Sequence, residues 1–265
     1  MYKLLPKPKS QIHEDFSSES HEIASIDHLP CPEFLREAIF AAGRFWELEA
    51  AFGCLEGVVR TAVGYFGGDL IKPSYKEVSE GKTGHTEAVK VTYDKRRISY
   101  RSLCKAFWAS HDPTNKDFLR FGIETHYRSA IFYGDEDERK AARETKVKQQ
   151  MKLNKRIVTK IVPCSRPTNN DLVFYIAESR HHKYYLQMDH IGLCESLNLR
   201  SAEQFADSHL ACKLNGLFGG DGKDKLQDLK DFMERYDLLM PDKTKLILEV
   251  ILQASAAEKT LELEE

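Results

Sequence analysis

Apolar and polar residues alternate through Ala88-Val89-Lys90-Val91-Thr92-Tyr93, and β-branched side chains crowd Val58-Val59-Arg60-Thr61-Ala62-Val63-Gly64-Tyr65. Both stretches predict strands, the first with the period of two that exposes one face of a sheet. Ala38-Ile39-Phe40-Ala41-Ala42 is a short apolar strand that stops at Gly43, where the chain turns through Arg44 into a helix carrying Phe45, Leu48, Glu49 and Phe52. Ser99 is placed to cap a helix whose buried stripe is Tyr100, Leu103, Phe107 and Trp108. Asp135-Glu136-Asp137-Glu138 opens another, and its later Lys146, Lys148 and Lys152 complete a charge order that complements the helix dipole. Further strands are read at 128–133, 157–162 and 172–176. The pattern is α+β, a mixed β-sheet with packed helices.

Residues 1–33 are rich in Ser, Pro, Glu and His without periodicity, and read as a disordered or loosely docked arm. Residues 34–200 form the main domain. From 201 to 265 the composition changes to a helical C-terminal extension. Helical periodicity runs over 201–214 and 224–239 around the glycine-rich Gly216-Leu217-Phe218-Gly219-Gly220-Asp221-Gly222. After Pro241, Asp242 can cap a last helix with Leu246, Val250 and Leu252 on its apolar side, before the acidic Leu261-Glu262-Leu263-Glu264-Glu265. There is no internal repeat.

The 265 residues can bury one large core and an appendage. Lys and Arg total 39 against 41 Asp and Glu, a formal charge of -2, so bulk charge gives no case for nucleic acid or an anionic membrane as partner. The first residues are too broken by lysine and proline for a signal peptide, and no stretch reaches the apolar length of a membrane span, so a cytoplasmic location is expected. Cys31, Cys54, Cys104, Cys164, Cys194 and Cys212 show no CxxC or CxxC/HxxxH spacing. They read as small, part-buried hydrophobes rather than a disulfide framework or a metal site.

A set of short blocks then follows in order: Gly43-Arg44-Phe45-Trp46, Gly64-Tyr65-Phe66-Gly67-Gly68, Pro73-Ser74-Tyr75-Lys76-Glu77-Val78, Lys82-Thr83-Gly84-His85-Thr86-Glu87, His111-Asp112-Pro113-Thr114, Tyr127-Arg128-Ser129-Ala130-Ile131 and Phe174-Tyr175-Ile176-Ala177-Glu178. Each is weak by itself. Together, over roughly residues 37–188, they resemble the class A peptide methionine sulfoxide reductases, whose nucleophile turn reads Gly-Cys-Phe-Trp where this chain has Gly-Arg-Phe-Trp.

The resemblance implies a fold, an activity and a set of roles. Reduction of a sulfoxide needs a nucleophile for sulfur, a proton donor for the departing oxygen and a pocket for the S-methyl group. In that family a cysteine attacks, a glutamate held by tyrosines gives the proton, and the Phe-Trp pair cages the methyl. The matching positions are Arg44 for the substituted nucleophile, Glu87 for the acid, Phe45 and Trp46 for the cage, and Tyr75 and Tyr127 for the oxygen-binding hydroxyls. No metal or bound cofactor is implied; thioredoxin would be the reductant of an active form. The substrate would be a methionine-sulfoxide-containing protein or free methionine sulfoxide. His85 is read as orienting its loop, and Glu49 as solvated.

Two other departures accompany Arg44. Glu47 stands where the family usually has glycine, and Gly122 where it carries an aspartate. Cys54 lies about 15 Å along the same helix and on another face, so it cannot stand in for a thiol at position 44. Cys194 and Cys212 fall where the family keeps recycling thiols, but an arginine forms no sulfenic acid for them to resolve. A guanidinium, with a pKa above about 12, has no lone pair for attack.

The leading expectation is a reductase fold with its pocket largely kept and its nucleophile lost, hence weak or inactive. One alternative is an active enzyme whose native residue 44 is cysteine or recoded selenocysteine, since UGA is one base from CGA and AGA. Another is a non-catalytic module that binds methionine or its sulfoxide. At the helix N-terminus a cation opposes the dipole, so a salt bridge from Arg44 to Glu87 or Glu47 is expected to offset it.

Overall fold

The computed structural model describes residues 30–115, 119–120, 123–165, 172–220 and 224–262. Most of the arm over 1–33, Phe121-Gly122, Asp221-Gly222 and the last three residues of the acidic end lie outside the described residues.

Six strands form one mixed sheet. They are β1 (Leu35–Ala41), β2 (Val58–Phe66), β3 (Thr86–Asp94), and, after the two-stranded ribbon of β4 (Leu119–Arg120) and β5 (Ile123–Glu124), β6 (Ala130–Tyr133), β7 (Lys160–Pro163) and β8 (Tyr175–Ile176). Their order across the sheet is β7-β6-β1-β3-β2-β8. Only β6 and β7 run parallel; the other pairs are antiparallel. The central strands β2 and β3 are buried along nearly their whole length, so the alternation in β3 does not mark an exposed face. Its odd residue out is Lys90, half-exposed and paired with Glu37 at 3.2 Å.

Ten helices among the described residues surround this sheet. α1 (Phe45–Gly53) leaves the end of β1, followed by α2 (Tyr75–Ser79), α3 (Tyr100–Ala109) and α4 (Glu136–Gln150). Ser99 and Asp135 cap α3 and α4 as their positions predict, each accepting from the backbone N–H three residues on. Phe40, Phe52, Leu103, Phe107 and Ile131 are fully buried between sheet and helices. The later strands are shorter than expected: 157–162 becomes Lys160–Pro163, and 172–176 only Tyr175–Ile176.

The C-terminal helices are α5 (Tyr184–Asp189), α6 (Ile191–Ser196), α7 (Ala202–Asp207), α8 (His209–Gly219), α9 (Lys225–Tyr236) and α10 (Asp242–Glu262). The helix read over 201–214 is in fact two, because Ser208 leaves helical geometry and caps α8 through Ala211 N–H. The apolar side read for α10 is also out of phase. Leu246 and Val250 are 62% and 65% exposed, while Leu248 is fully buried and Ile247, Ile251 and Leu252 pack beside it. In a helix with apolar residues most of the way round, only the partner surface decides which stripe goes inward. That surface is a second core of Leu186, Leu193, Phe205, Leu214, Leu229 and Phe232.

The extension is not detached from the sheet layer. α8 lies directly against α1, where Gly53 and Gly216 let the two backbones meet: a Cβ on Gly216 would sit 2.6 Å from the Gly53 carbonyl carbon. Lys213 donates to the carbonyls of Gly53 and Leu55 at 3.1 and 2.7 Å, closing the end of α1. No helix of the described residues is long and apolar enough to cross a membrane.

Candidate functional site

Gly43 takes a φ of 83°, a left-handed conformation in which a side chain is strained, and so turns β1 sharply into α1. Arg44 then occupies the N-cap of α1 with extended backbone and an exposed side chain. Phe45 is buried and Trp46 half-buried at the first turn. Across the turn, Glu87 comes from the start of β3 and is only 2% exposed. The backbone N–H of Phe45, one of the donors a helix start leaves unpaired, donates a hydrogen bond to Glu87 Oε2 at 3.2 Å.

This arrangement overturns the expected salt bridge. Among the described residues, Arg44 makes no ion pair with Glu87 or Glu47 within 4.0 Å. Its guanidinium instead lies 5.9 Å from the centre of the Trp46 ring. Glu87 therefore keeps the character of a buried acid. Burial pushes its carboxyl up to about 8; the Phe45 N–H and the more distant Arg44 pull the other way, and Glu47 adds a repulsion. At neutral pH it carries a proton it can donate.

Tyr75, at the start of α2, and Tyr127 reach the same place. Burial pushes Tyr127 up to about 12, and the charge of Glu87 and a side-chain hydrogen bond with Tyr75 push the same way. Tyr75 is held by the capping box of α2, in which Ser74 and Glu77 exchange bonds, and by its own N–H, which donates to Glu178 Oε1 at 2.9 Å. Phe45, Trp46, Tyr75, Glu87 and Tyr127 are thus one cluster, gathered from α1, α2, β3 and the segment before β6. His85 does orient its loop: its Nδ1 accepts from Gly68 N–H at 3.1 Å and its Nε2 lies 2.9 Å from the Leu70 carbonyl.

The segment between β8 and α5 builds the fourth wall, which sequence reasoning missed. Glu178 accepts from Tyr65 Oη at 2.7 Å as well as from Tyr75 N–H, and these bonds outweigh burial to hold its carboxyl below the usual range. His181 packs between Phe45 and Tyr75, with ring centres 5.5 and 4.5 Å away. Tyr184 lies flat on Trp46, at 4.1 Å and 12°. Only Glu178 carried a signal, as the end of the block Phe174-Tyr175-Ile176-Ala177-Glu178. The indole N–H of Trp46 and Nδ1 of His181 are buried with no hydrogen-bond partner among the described residues.

Glu49 is the second correction. It is fully buried rather than solvated. Lys183, also fully buried, donates from Nζ to Glu49 Oε1 at 2.6 Å and to the Thr61 carbonyl at 2.7 Å, and from its backbone N–H to Glu49 Oε2 at 2.7 Å. Lys183 accepts a left-handed φ of 49° to do so. The pair ties the His181–Tyr184 wall to the helix that carries Phe45 and Trp46.

None of the six cysteines is bonded to another. Cys54, at the end of α1, is turned toward the Gly216 carbonyl, 2.9 Å from its sulfur. Cys194 and Cys212 are buried, and burial pushes the Cys194 thiol up to about 11. Among the described residues no group of three or more His, Cys, Asp or Glu side chains could hold a metal ion.

The family model for peptide methionine sulfoxide reductase matches residues 36–214. The chain belongs to that family. Peptide methionine sulfoxide reductase A4, chloroplastic, of Arabidopsis thaliana is 42% identical over 159 residues, which are 60% of this chain and 59% of that protein. Peptide methionine sulfoxide reductase MsrA of Methanosarcina acetivorans is 41% identical over 174 residues, 65% of this chain and 88% of its own length. Among solved structures, methionine sulfoxide reductase A of Corynebacterium diphtheriae matches with a TM-score of 0.50 at 29% identity, covering 63% of this chain and 80% of that one. Mxr1 of Saccharomyces cerevisiae in reduced form also gives 0.50 at 29%, covering 60% and 88%. The matched span ends inside α8, so this peptide methionine sulfoxide reductase family member carries α9 and α10 beyond the part shared with the family.

Proposed function

We propose that this chain retains the methionine-sulfoxide pocket of its family but not the nucleophile, so that it binds the sulfoxide without turning it over by thiol chemistry. The observation that carries this reading is the contrast at one helix start: Glu87 is buried, its carboxyl pushed up by that burial, and held by the Phe45 N–H, while the adjacent N-cap is an exposed arginine. A sulfoxide oxygen is a strong acceptor, and a neutral carboxyl flanked by two phenols suits it. The S-methyl group would lie against Phe45 and Trp46.

The chemistry missing is the first bond. In the family, the attacking thiolate forms a bond to sulfur as the acid delivers its proton to the oxygen; the S–O bond breaks, that oxygen or a water in its place bonds to the cysteine sulfur, and the methionine thioether leaves with the S–S electron pair, so that the cysteine becomes a sulfenic acid. Arginine has no lone pair to begin that sequence. A helix N-terminus would, however, favour a thiolate placed there.

The test is Arg44→Cys. The parent chain should leave peptidyl methionine S-sulfoxide unreduced with dithiothreitol or thioredoxin as reductant. The variant should release about one equivalent of methionine per chain in a single turnover. A correctly folded variant that releases none would show that the pocket has been lost along with the nucleophile. Turnover by the parent near 1 per second or above, a rate ordinary for enzymes, would overturn the proposal from the other side.

A further inference from the structure

A cavity of about 490 Å³ lies where the C-terminal extension meets the sheet layer, lined on one side by the end of α1 and the start of β2 and on the other by α8 and α9. His209, Lys213, Leu217 and Gly220 face it from α8, and Asp228, Asp231, Phe232 and Arg235 from α9. The two helices run in opposite directions, because His209 at the start of α8 meets Tyr236 at the end of α9, with ring centres 5.4 Å apart. Lys213, one turn into α8, therefore lies toward the end that Arg235 lines. Asp228, two turns earlier on α9, lies toward the other.

The two ends carry opposite charge. Lys213 is only part-buried, but its Nζ is spent on the carbonyls of Gly53 and Leu55, which leaves one of three N–H groups for another acceptor. No carboxylate lies within 4.0 Å of it among the described residues. Burial lowers its pKa, Cys212 and Cys54 act the other way, and the nearby charges of Arg97 and Arg235 lower it further. Three cations thus converge on this end. Glu56 answers Arg97 at 2.7 Å and reaches Arg235 only at 3.9 Å, while Asp94 is taken up by Arg96. At the opposite end Asp228 and Asp231 are exposed and make no ion pair among the described residues. Leu217 and Phe232 line the stretch between.

From this cavity, cationic at one end, acidic at the other and apolar between, we propose that it binds a short zwitterionic peptide of about three residues with an apolar middle side chain. The C-terminal carboxylate lies at Lys213 and Arg235, the N-terminal ammonium at Asp228 and Asp231. Length decides the class of ligand. Asp228 and Arg235 are seven residues apart on α9, a rise of about 10.5 Å, and three extended residues span about 10 Å. In a single amino acid the ammonium and carboxylate share one carbon and cannot serve both ends. The volume lies within the range of small-molecule sites.

The full chain, titrated calorimetrically at low salt with the free tripeptide Ala-Leu-Ala, should bind it saturably with a dissociation constant below about 1 mM. Cys54, exposed in the cavity lining, should be alkylated by iodoacetamide more slowly as the tripeptide saturates, while Cys31, exposed outside that lining, should not. Acetylating the peptide N-terminus or amidating its C-terminus should each weaken binding at least about tenfold, the cost of one charge-assisted bond. Arg235→Gln should shrink the amidation penalty, and the double variant Asp228→Asn, Asp231→Asn the acetylation penalty, selective effects that no loss of folding could produce. Free leucine should bind more weakly than the tripeptide. Absence of saturable binding, blocked peptides or free leucine binding as tightly as Ala-Leu-Ala, penalties unchanged in the matching variants, or Cys31 and Cys54 slowed alike would each overturn the proposal.

Discussion

The Tyr184 ring covers the face of the Trp46 indole, parallel within 12° and 4.1 Å from centre to centre. The residue that would cage a methyl group is therefore itself caged, by a side chain held in place from below by Lys183. Removing the cover should expose the indole. In a Trp108→Phe background, Tyr184→Ala is expected to raise acrylamide quenching of Trp46 by roughly twofold or more, with a stability loss of about 1–2 kcal/mol for the lost stacking. Quenching unchanged from the parent would mean that other groups shield Trp46.

The acidity of Glu87 gives a prediction with a defined sign. Its folded carboxyl is pushed up to about 8 from an ordinary 4.5, so the fold favours the protonated form. Its contribution to stability is full below pH about 4.5 and is lost as pH rises toward about 8. Urea midpoints measured from pH 5 to 8.5 should fall for the parent relative to Glu87→Gln, which cannot ionise, by an amount worth at most a few kcal/mol. Parallel pH profiles would place Glu87 in its ordinary range.

In the Arg44→Cys variant the same group governs chemistry. The single-turnover rate should decline as pH rises through about 8, because the ionised carboxylate has no proton for the sulfoxide oxygen. Adding Glu87→Gln should slow the step by about 10²–10⁴-fold, the usual contribution of a positioned acid, and remove that decline. Rapid-quench measurement of released methionine checks both.

Breaking the buried pair of Glu49 and Lys183 should be costly in a particular way. Lys183→Met strands a carboxylate with no access to water and is expected to cost about 3–5 kcal/mol. Replacing both, as Glu49→Leu with Lys183→Met, should recover most of that loss. Denaturant unfolding of the two singles and the double closes the cycle; simple additivity would argue against a coupled pair.

Helix packing supplies a last case. Gly216 lies on the Gly53–Cys54 backbone, and Gly216→Ala would drive a methyl into main-chain atoms that cannot rotate away. A loss of about 2 kcal/mol or more is expected, with α8 displaced from α1. Gly81→Ala is the contrasting control: its Cβ would meet nothing within 4 Å, but its φ of 75° remains unfavourable, so the loss there is one of backbone strain alone.

How far the sequence could be read follows from the range of each interaction. Caps at Ser99 and Asp135 depend on residues three positions apart, and they were legible. The burial of Glu49 depends on Lys183, 134 residues away, and a lone glutamate on an amphipathic helix gives no hint of it. The stripe of α10 was misphased because its apolar residues are spread around the helix, and the choice of Leu248 over Leu246 belongs to the second core. Within the site, the ordered blocks brought Phe45, Trp46, Tyr75, Glu87 and Tyr127 together on paper before they met in space. The Arg44 bridge failed for a reason that block-matching does not see: the Arg44 side chain is exposed, with its guanidinium 5.9 Å from the centre of the Trp46 ring, while Glu87 is buried behind the turn.

That backbone bond has a consequence for how the site can change. Glu87 is anchored by a donor that every residue except proline supplies, on the neighbour of position 44 rather than on position 44 itself. Position 44 and Glu87 are separable parts: the side chain at 44 can be exchanged while the backbone bond that holds Glu87 stays in place. On the function proposed above, the change from thiol to guanidinium is a reversible step at a single codon, one substitution away from redox chemistry.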